Sequence, residues 1–125
     1  MNKEFIPYEQ ALDLKELGFD EECLDVYNMH GKLWGMRLER QSIVDSACSA
    51  PLYQQAFRWF REKYNILSTI YANASGFLYE WEDAIGGTHR GWSDCEGPNN
   101  GGVWDTYEEA ELACLNKLIE IVKNK

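Results

Sequence analysis

Apolar residues recur at helical spacing in three stretches of the chain, and apolar and polar residues alternate between them. The longest helical stretch runs from Thr106 to Lys123 without Gly or Pro. Thr106-Tyr107-Glu108-Glu109 has the form of a capping box. In such a box the Thr106 hydroxyl accepts from the Glu109 amide, and the Glu109 carboxylate reaches back to the Thr106 amide. Glu108 and Glu109 suit the positive end of the helix dipole, and Lys117 and Lys123 suit the other end. At ~100° per residue, Tyr107, Ala110, Cys114, Leu118 and Ile121 share one face, which Leu115, Val122, Leu112 and Ile119 widen. One neighbour cannot cover so wide an arc. The helix is expected to pack on a sheet and also against another helix or a second chain, which makes a homodimer one expectation.

Earlier in the chain, Pro7 fits the first position of a helix over Tyr8–Leu17, and Gly18 fits its end. Leu24–Tyr27 reads as a strand, Asn28–Gly31 as a turn with Gly31 at positive φ, and Leu33–Leu38 as the return strand. Gln41–Ser49 fits either a continued strand or a loop. Pro51 opens a second helix to about Tyr64, with Tyr53, Ala56, Phe57, Phe60 and Tyr64 inward and Trp59 flanking. Asn65 stops it. Ser68–Ala74 and Phe77–Ile85 read as strands joined at Asn73–Gly76. In the second of these, Phe77, Tyr79 and Trp81 lie on one face and Leu78, Glu80 and Glu82 on the other. Residues 86–105 hold six Gly, one Pro, two Asn and two Trp. They form either a long functional loop or a twisted hairpin or extra edge strand, with Pro98-Asn99-Asn100-Gly101 as its turn and Gly102-Val103-Trp104 as a strand feeding the last helix. Tyr8-Glu9-Gln10-Ala11, Tyr53-Gln54-Gln55-Ala56 and Tyr107-Glu108-Glu109-Ala110 open all three helices. The whole reads as an α+β fold. A small antiparallel sheet of about four to five strands carries three helices mainly on one face, in the order α-ββ-α-ββ(β)-α.

The chain of 125 residues suits a single domain, 1–125, able to bury a core unaided. Aromatics make up 14%, which argues against disorder. No apolar run could span a membrane and no signal peptide is seen, so the expectation is a cytoplasmic protein with reduced thiols. Cys23, Cys48, Cys95 and Cys114 contain no Cys-x-x-Cys pair, which leaves no zinc knuckle or redox motif. The net charge of −9 is uneven: −6 over residues 1–25, +3 over 26–70 and −6 over 71–125. That field opposes phosphate neutralisation and suits solubility or a basic protein partner.

Three helix motifs carry a resemblance: YEQALDLKELGF at residues 8–19, AFRWFREKY at 56–64 and YEEAELACL at 107–115. They resemble small acidic uncharacterised proteins of phages and prophages of gut Bacteroides-type bacteria. The resemblance covers under half the chain and implies a mobile-element origin with a host-facing or phage-maintenance role. It implies no activity.

Catalytic chemistry has little support. His30 falls in a turn. His89, Asp94, Cys95 and Glu96 share the Gly-rich segment, but their spacing defines neither a Cys–His pair nor a metal set. The clustered carboxylates Glu80, Glu82 and Asp83 fit a solvated sheet face better than an acid/base pair. Neither Gly86-Gly87 nor Gly101-Gly102 matches a phosphate-binding fingerprint. No catalytic, metal or cofactor residue is assigned, and no cofactor is expected. Arg58, Trp59, Arg61 and Lys63 could stack and pair with a single-stranded nucleic acid, but Phe57, Phe60 and Tyr64 are wanted by the core. The leading expectation is a non-enzymatic protein-interaction module. Its contact surface is His89, Arg90, Trp92, Asp94 and Trp104, since Trp favours interface centres. The alternatives are a small metal- or thiol-dependent enzyme using residues 86–105, and a single-stranded nucleic-acid binder using the helix over 51–64.

Overall fold

Three helices among the described residues each open on a tyrosine: α1 is Tyr8–Glu16, α2 is Tyr53–Tyr64 and α3 is Tyr107–Lys123. The computed structural model describes residues 4–33, 47–83, 89–92, 98 and 103–124. Five strands complete the order: β1 (Asp25–Tyr27), β2 (Cys48–Ala50), β3 (Ile66–Asn73), β4 (Gly76–Asp83) and β5 (His89–Trp92). The α+β class is the one expected. The single sheet is not. The strands form a two-stranded sheet, β1-β2, and a separate three-stranded sheet, β3-β4-β5, all antiparallel. The chain divides into two compact units, residues 1–56 and 57–125.

In the first unit, α1 ends in a Schellman motif. The Phe19 amide donates to Leu14 O (2.9 Å) and the Gly18 amide to Lys15 O (3.1 Å), with Gly18 at φ 99°. Leu14 and Phe19, the apolar pair that accompanies such an ending, are both buried. Pro7 is the N-cap rather than the first helical residue, and its carbonyl accepts from the Ala11 amide. The turn after β1 follows expectation. Asn28 Oδ1 accepts from the His30 and Lys32 amides, and Gly31 sits at φ 78°. The return strand differs. Leu33 makes one bridge to Tyr27, residues 34–38 lie outside the described residues, and the partner of β1 is β2. All three β1 residues are buried, so the strand has no solvent face to alternate with and its apolar signal is weak. α1 packs against β2, and the Tyr27 hydroxyl donates to the Ile6 carbonyl.

In the second unit, β3 and β4 pair residue for residue from Ile66–Asp83 to Asn73–Gly76, without a bulge. Asn73 Oδ1 accepts from the Ser75 and Gly76 amides and tightens the turn. Gly76 at φ 148° is required: a Cβ there would lie 2.5 Å from Trp104 O. Trp104 and Phe77 exchange two backbone hydrogen bonds, 2.9 and 3.0 Å. Trp104 and β5 therefore lie along the same edge of β4, and the Gly-rich segment supplies the extra edge strand.

Thr106 caps α3, accepting from the Glu109 amide at 3.1 Å. The Glu109 carboxylate meets the Thr106 hydroxyl (2.9 Å) instead of its amide. α3 packs on β3 and β4. The buried residues are Ala110, Glu111, Cys114, Leu115, Leu118, Ile119 and Val122. At ~100° per residue they span about half the helix circumference, with Glu111 near the middle. The arc is the one expected: six of the nine expected residues are buried, Tyr107 in the first turn is exposed, and Leu112 and Ile121 are half-buried. In α2 the buried arc is turned relative to expectation, which buries Trp59 and leaves Phe57 half-buried. No helix among the described residues is long and apolar enough to cross a membrane.

Candidate interaction surface

The second unit's sheet has two unlike faces. Side chains alternate along a strand, and directly paired residues share a face. Phe77 meets Tyr107 of α3 edge to face, ring centroids 6.1 Å apart, so the set Ile66, Ser68, Ile70, Ala72, Phe77 and Tyr79 faces the helix. The other set is Leu67, Thr69 and Tyr71 on β3 with Leu78, Glu80 and Glu82 on β4. Leu78 is buried, but Leu67 is 45% and Tyr71 37% exposed, two of the five exposed large apolar side chains described. Thr69 is exposed, and Glu80 and Glu82 are half-exposed. Leu67, Thr69, Glu80, Trp81 and Glu82 line a shallow cavity of about 110 Å³. The surface thus joins apolar patches to two carboxylates on a rigid ladder.

The expected contact residues fall beside this surface in part. Arg90 pairs in register with Glu82, Trp92 with Glu80 and His89 with Asp83, all in β5. Asp94 lies outside the described residues, as does Cys95. Trp104 is half-buried and its ring lies 5.9 Å from that of Tyr79, so it is part of the unit's packing. Sequence reading missed Leu67 and Tyr71. The signal was present, because Leu67, Thr69 and Tyr71 alternate with Ser68 and Ile70, but which set faces water depends on where the helix lies.

The stacking platform expected on α2 is closed. Trp59 is 5% exposed and packs edge to face on Phe60 and Tyr64. Lys63 Nζ sits over the Trp59 ring at 5.1 Å, and Arg58 lies 3.9 Å from Glu62. A base cannot stack on a ring already covered on its faces.

The first unit holds a second cavity, about 210 Å³, lined by Ala11, Lys15, Phe19, Ala47, Cys48 and Ser49. Lys15 Nζ donates to the Ala47 carbonyl at 2.7 Å. Burial raises the Cys48 thiol pKa, against the opposing pull of Lys15. Burial also pushes Cys23 up to about 11, with Glu21 adding to the rise and hydrogen bonds from Ser49 and Gln55 opposing it. Both thiols therefore stay protonated near neutrality, which makes them poor nucleophiles. Among the described residues no group of three or more His, Cys, Asp or Glu side chains could hold a metal ion.

One buried acid stands apart. Glu111 is 9% exposed and has no hydrogen-bond or ion-pair partner among the described residues. Burial, and then the charge of Glu108 one turn earlier, raises its pKa to about 7.

No family model, no curated protein and no solved structure matches the chain.

Proposed function

We propose that the protein is a non-enzymatic interaction module that engages a basic protein partner through the outer face of its three-stranded sheet. The observation carrying this reading is the exposure of Leu67 and Tyr71 on a bulge-free ladder beside Glu80 and Glu82. Apolar side chains exclude water at the contact, and the carboxylates select a partner bearing Lys or Arg. The net charge of −9 favours encounter with such a partner. β5, whose Arg90 and Trp92 pair in register with Glu82 and Glu80, borders this surface. The covered Trp59 ring leaves the nucleic-acid alternative with less support. The resemblance of the helix motifs to phage and prophage proteins makes a host or phage protein the natural partner, met in the cytoplasm.

The test is affinity capture with the wild-type chain and with the Glu80→Lys/Glu82→Lys variant, both checked for folding by circular dichroism. A basic protein retained by the first and lost by the second is expected. Identical retention by both would refute the assignment.

A further inference from the structure

β3 is an edge strand of a kind that proteins normally guard. Sheet edges are usually blunted by Lys, Pro, bulges or short length. β3 has eight residues, Ile66-Leu67-Ser68-Thr69-Ile70-Tyr71-Ala72-Asn73, with no charge, no Gly, no Pro and no bulge. The opposite edge, β5, has four residues and contains Arg90 and His89. Leu67, Thr69, Tyr71, Ala72 and Asn73 are all exposed, so no other part of the described chain lies across them.

The backbone shows which groups are open. Phe77 uses both its amide and its carbonyl on Trp104, on the side of β4 away from β3. The Ala72–Phe77 pair is therefore non-hydrogen-bonded within the β3-β4 ladder. Bonded and non-bonded pairs alternate, so Ile66, Ser68, Ile70 and Ala72 direct their amides and carbonyls outward from the sheet edge. Among the described residues no backbone hydrogen bond leaves β3 on that side.

We infer that this edge binds β3 of a second copy of the chain, antiparallel about a two-fold axis at Thr69. Of the outward residues Ile66 is fully buried, so Ser68, Ile70 and Ala72 are the open ones. The two-fold register centred on Thr69 sets Ser68 opposite Ile70 of the second copy, a pair made twice by symmetry. The same register sets Leu67 against Tyr71 and Thr69 against Thr69, as non-hydrogen-bonded pairs whose side chains approach most closely. Aromatic–apolar and Thr–Thr pairs are favourable neighbours across strands. The two exposed apolar side chains of β3 thus cover one another. Because β3 is uncharged, two chains of net charge −9 meet without opposed carboxylates. Glu80 and Glu82 stay one strand further back in each copy, about a Debye length or more from their counterparts. The product is a continuous six-stranded sheet whose outer face is twice as wide.

The inference does not rest on the partner reading above. A chain that dimerises but captures no basic protein refutes that reading alone, and one that captures it as a monomer refutes this one alone. Sedimentation of the wild-type chain across a concentration series is expected to show a monomer–dimer transition. Thr69→Lys, at an exposed position, places like charges opposite each other and is expected to move the midpoint upward at least about tenfold. In a second arm, Thr69→Cys is oxidised with diamide. Paired strands bring position 69 against itself at about 4.5 Å between Cα atoms, within disulfide range. A covalent dimer is expected from Thr69→Cys and not from Asn73→Cys or the wild-type chain. A wild-type chain monomeric at every concentration, or a dimer in which Thr69→Cys fails to cross-link, would overturn the inference.

Discussion

Glu111 offers the sharpest test of how the second unit is built. Replacing it with Gln keeps the shape of the side chain and removes its titration. In the fold its carboxyl is moved from the ordinary 4.5 to about 7, chiefly by burial. At about 1.4 kcal/mol per pH unit, this corresponds to roughly 3 kcal/mol of preference for the protonated form. The residual solvent access of Glu111, which is 9% exposed, lowers this to about 2 kcal/mol. The folded state holds the proton more tightly than the unfolded chain. Its advantage is therefore complete below about pH 4.5 and is lost as pH rises through about 7. Urea unfolding of both proteins from pH 5 to pH 8 isolates the effect, because the other titrating groups are common to both. Glu111→Gln should be stabilising relative to wild type at pH 8, by about 2 kcal/mol, and near neutral at pH 5. Stability differences that stay constant across that range would show that Glu111 is not held in the apolar arc and that α3 faces the sheet at another angle.

Two further outcomes follow from the packing. Gly76→Ala should lower stability by about 2–3 kcal/mol in urea unfolding, because its Cβ would lie 2.5 Å from Trp104 O and 2.9 Å from Val103 Cγ2 at a φ of +148°. Cys23 and Cys48 should react with a thiol reagent at pH 8 far more slowly in the folded chain than in urea, by at least about tenfold, since burial raises both pKa values. Peptide mapping of the labelled thiols reads this directly.

The helices were legible because their signals are local. The capping box at Thr106, the positive-φ Gly18 after α1 and the αL Asn65 after α2 each act within a few residues of chain. The β3-β4 hairpin was legible for the same reason, since Asn73 and Gly76 fix the turn between two alternating runs. β2 was not. It lies about twenty residues from β1, is three residues long and pairs with a strand buried on all its residues, so neither period nor turn chemistry announces it. The same lack of long-range information merged two sheets into one expected sheet. The face of α2 was read about half a quadrant away from the buried one, enough to leave Trp59 looking available for stacking, whereas Glu111 was passed over because it is an acid inside an apolar arc. Leu67 and Tyr71 could not be picked out from the sequence, because that required knowing which side of β3 the last helix covers.

The central claim is that β3 is an open edge whose alternate amides have no partner in the single chain. Amide hydrogen exchange along Ile66–Asn73 reads this residue by residue. In dilute solution, Leu67, Thr69, Tyr71 and Asn73 should be protected by β4, while Ser68, Ile70 and Ala72 exchange rapidly. At high concentration those three should become protected as a second strand adds. Uniform protection of all eight amides in dilute solution would contradict the account, because the edge would then already be covered within one chain.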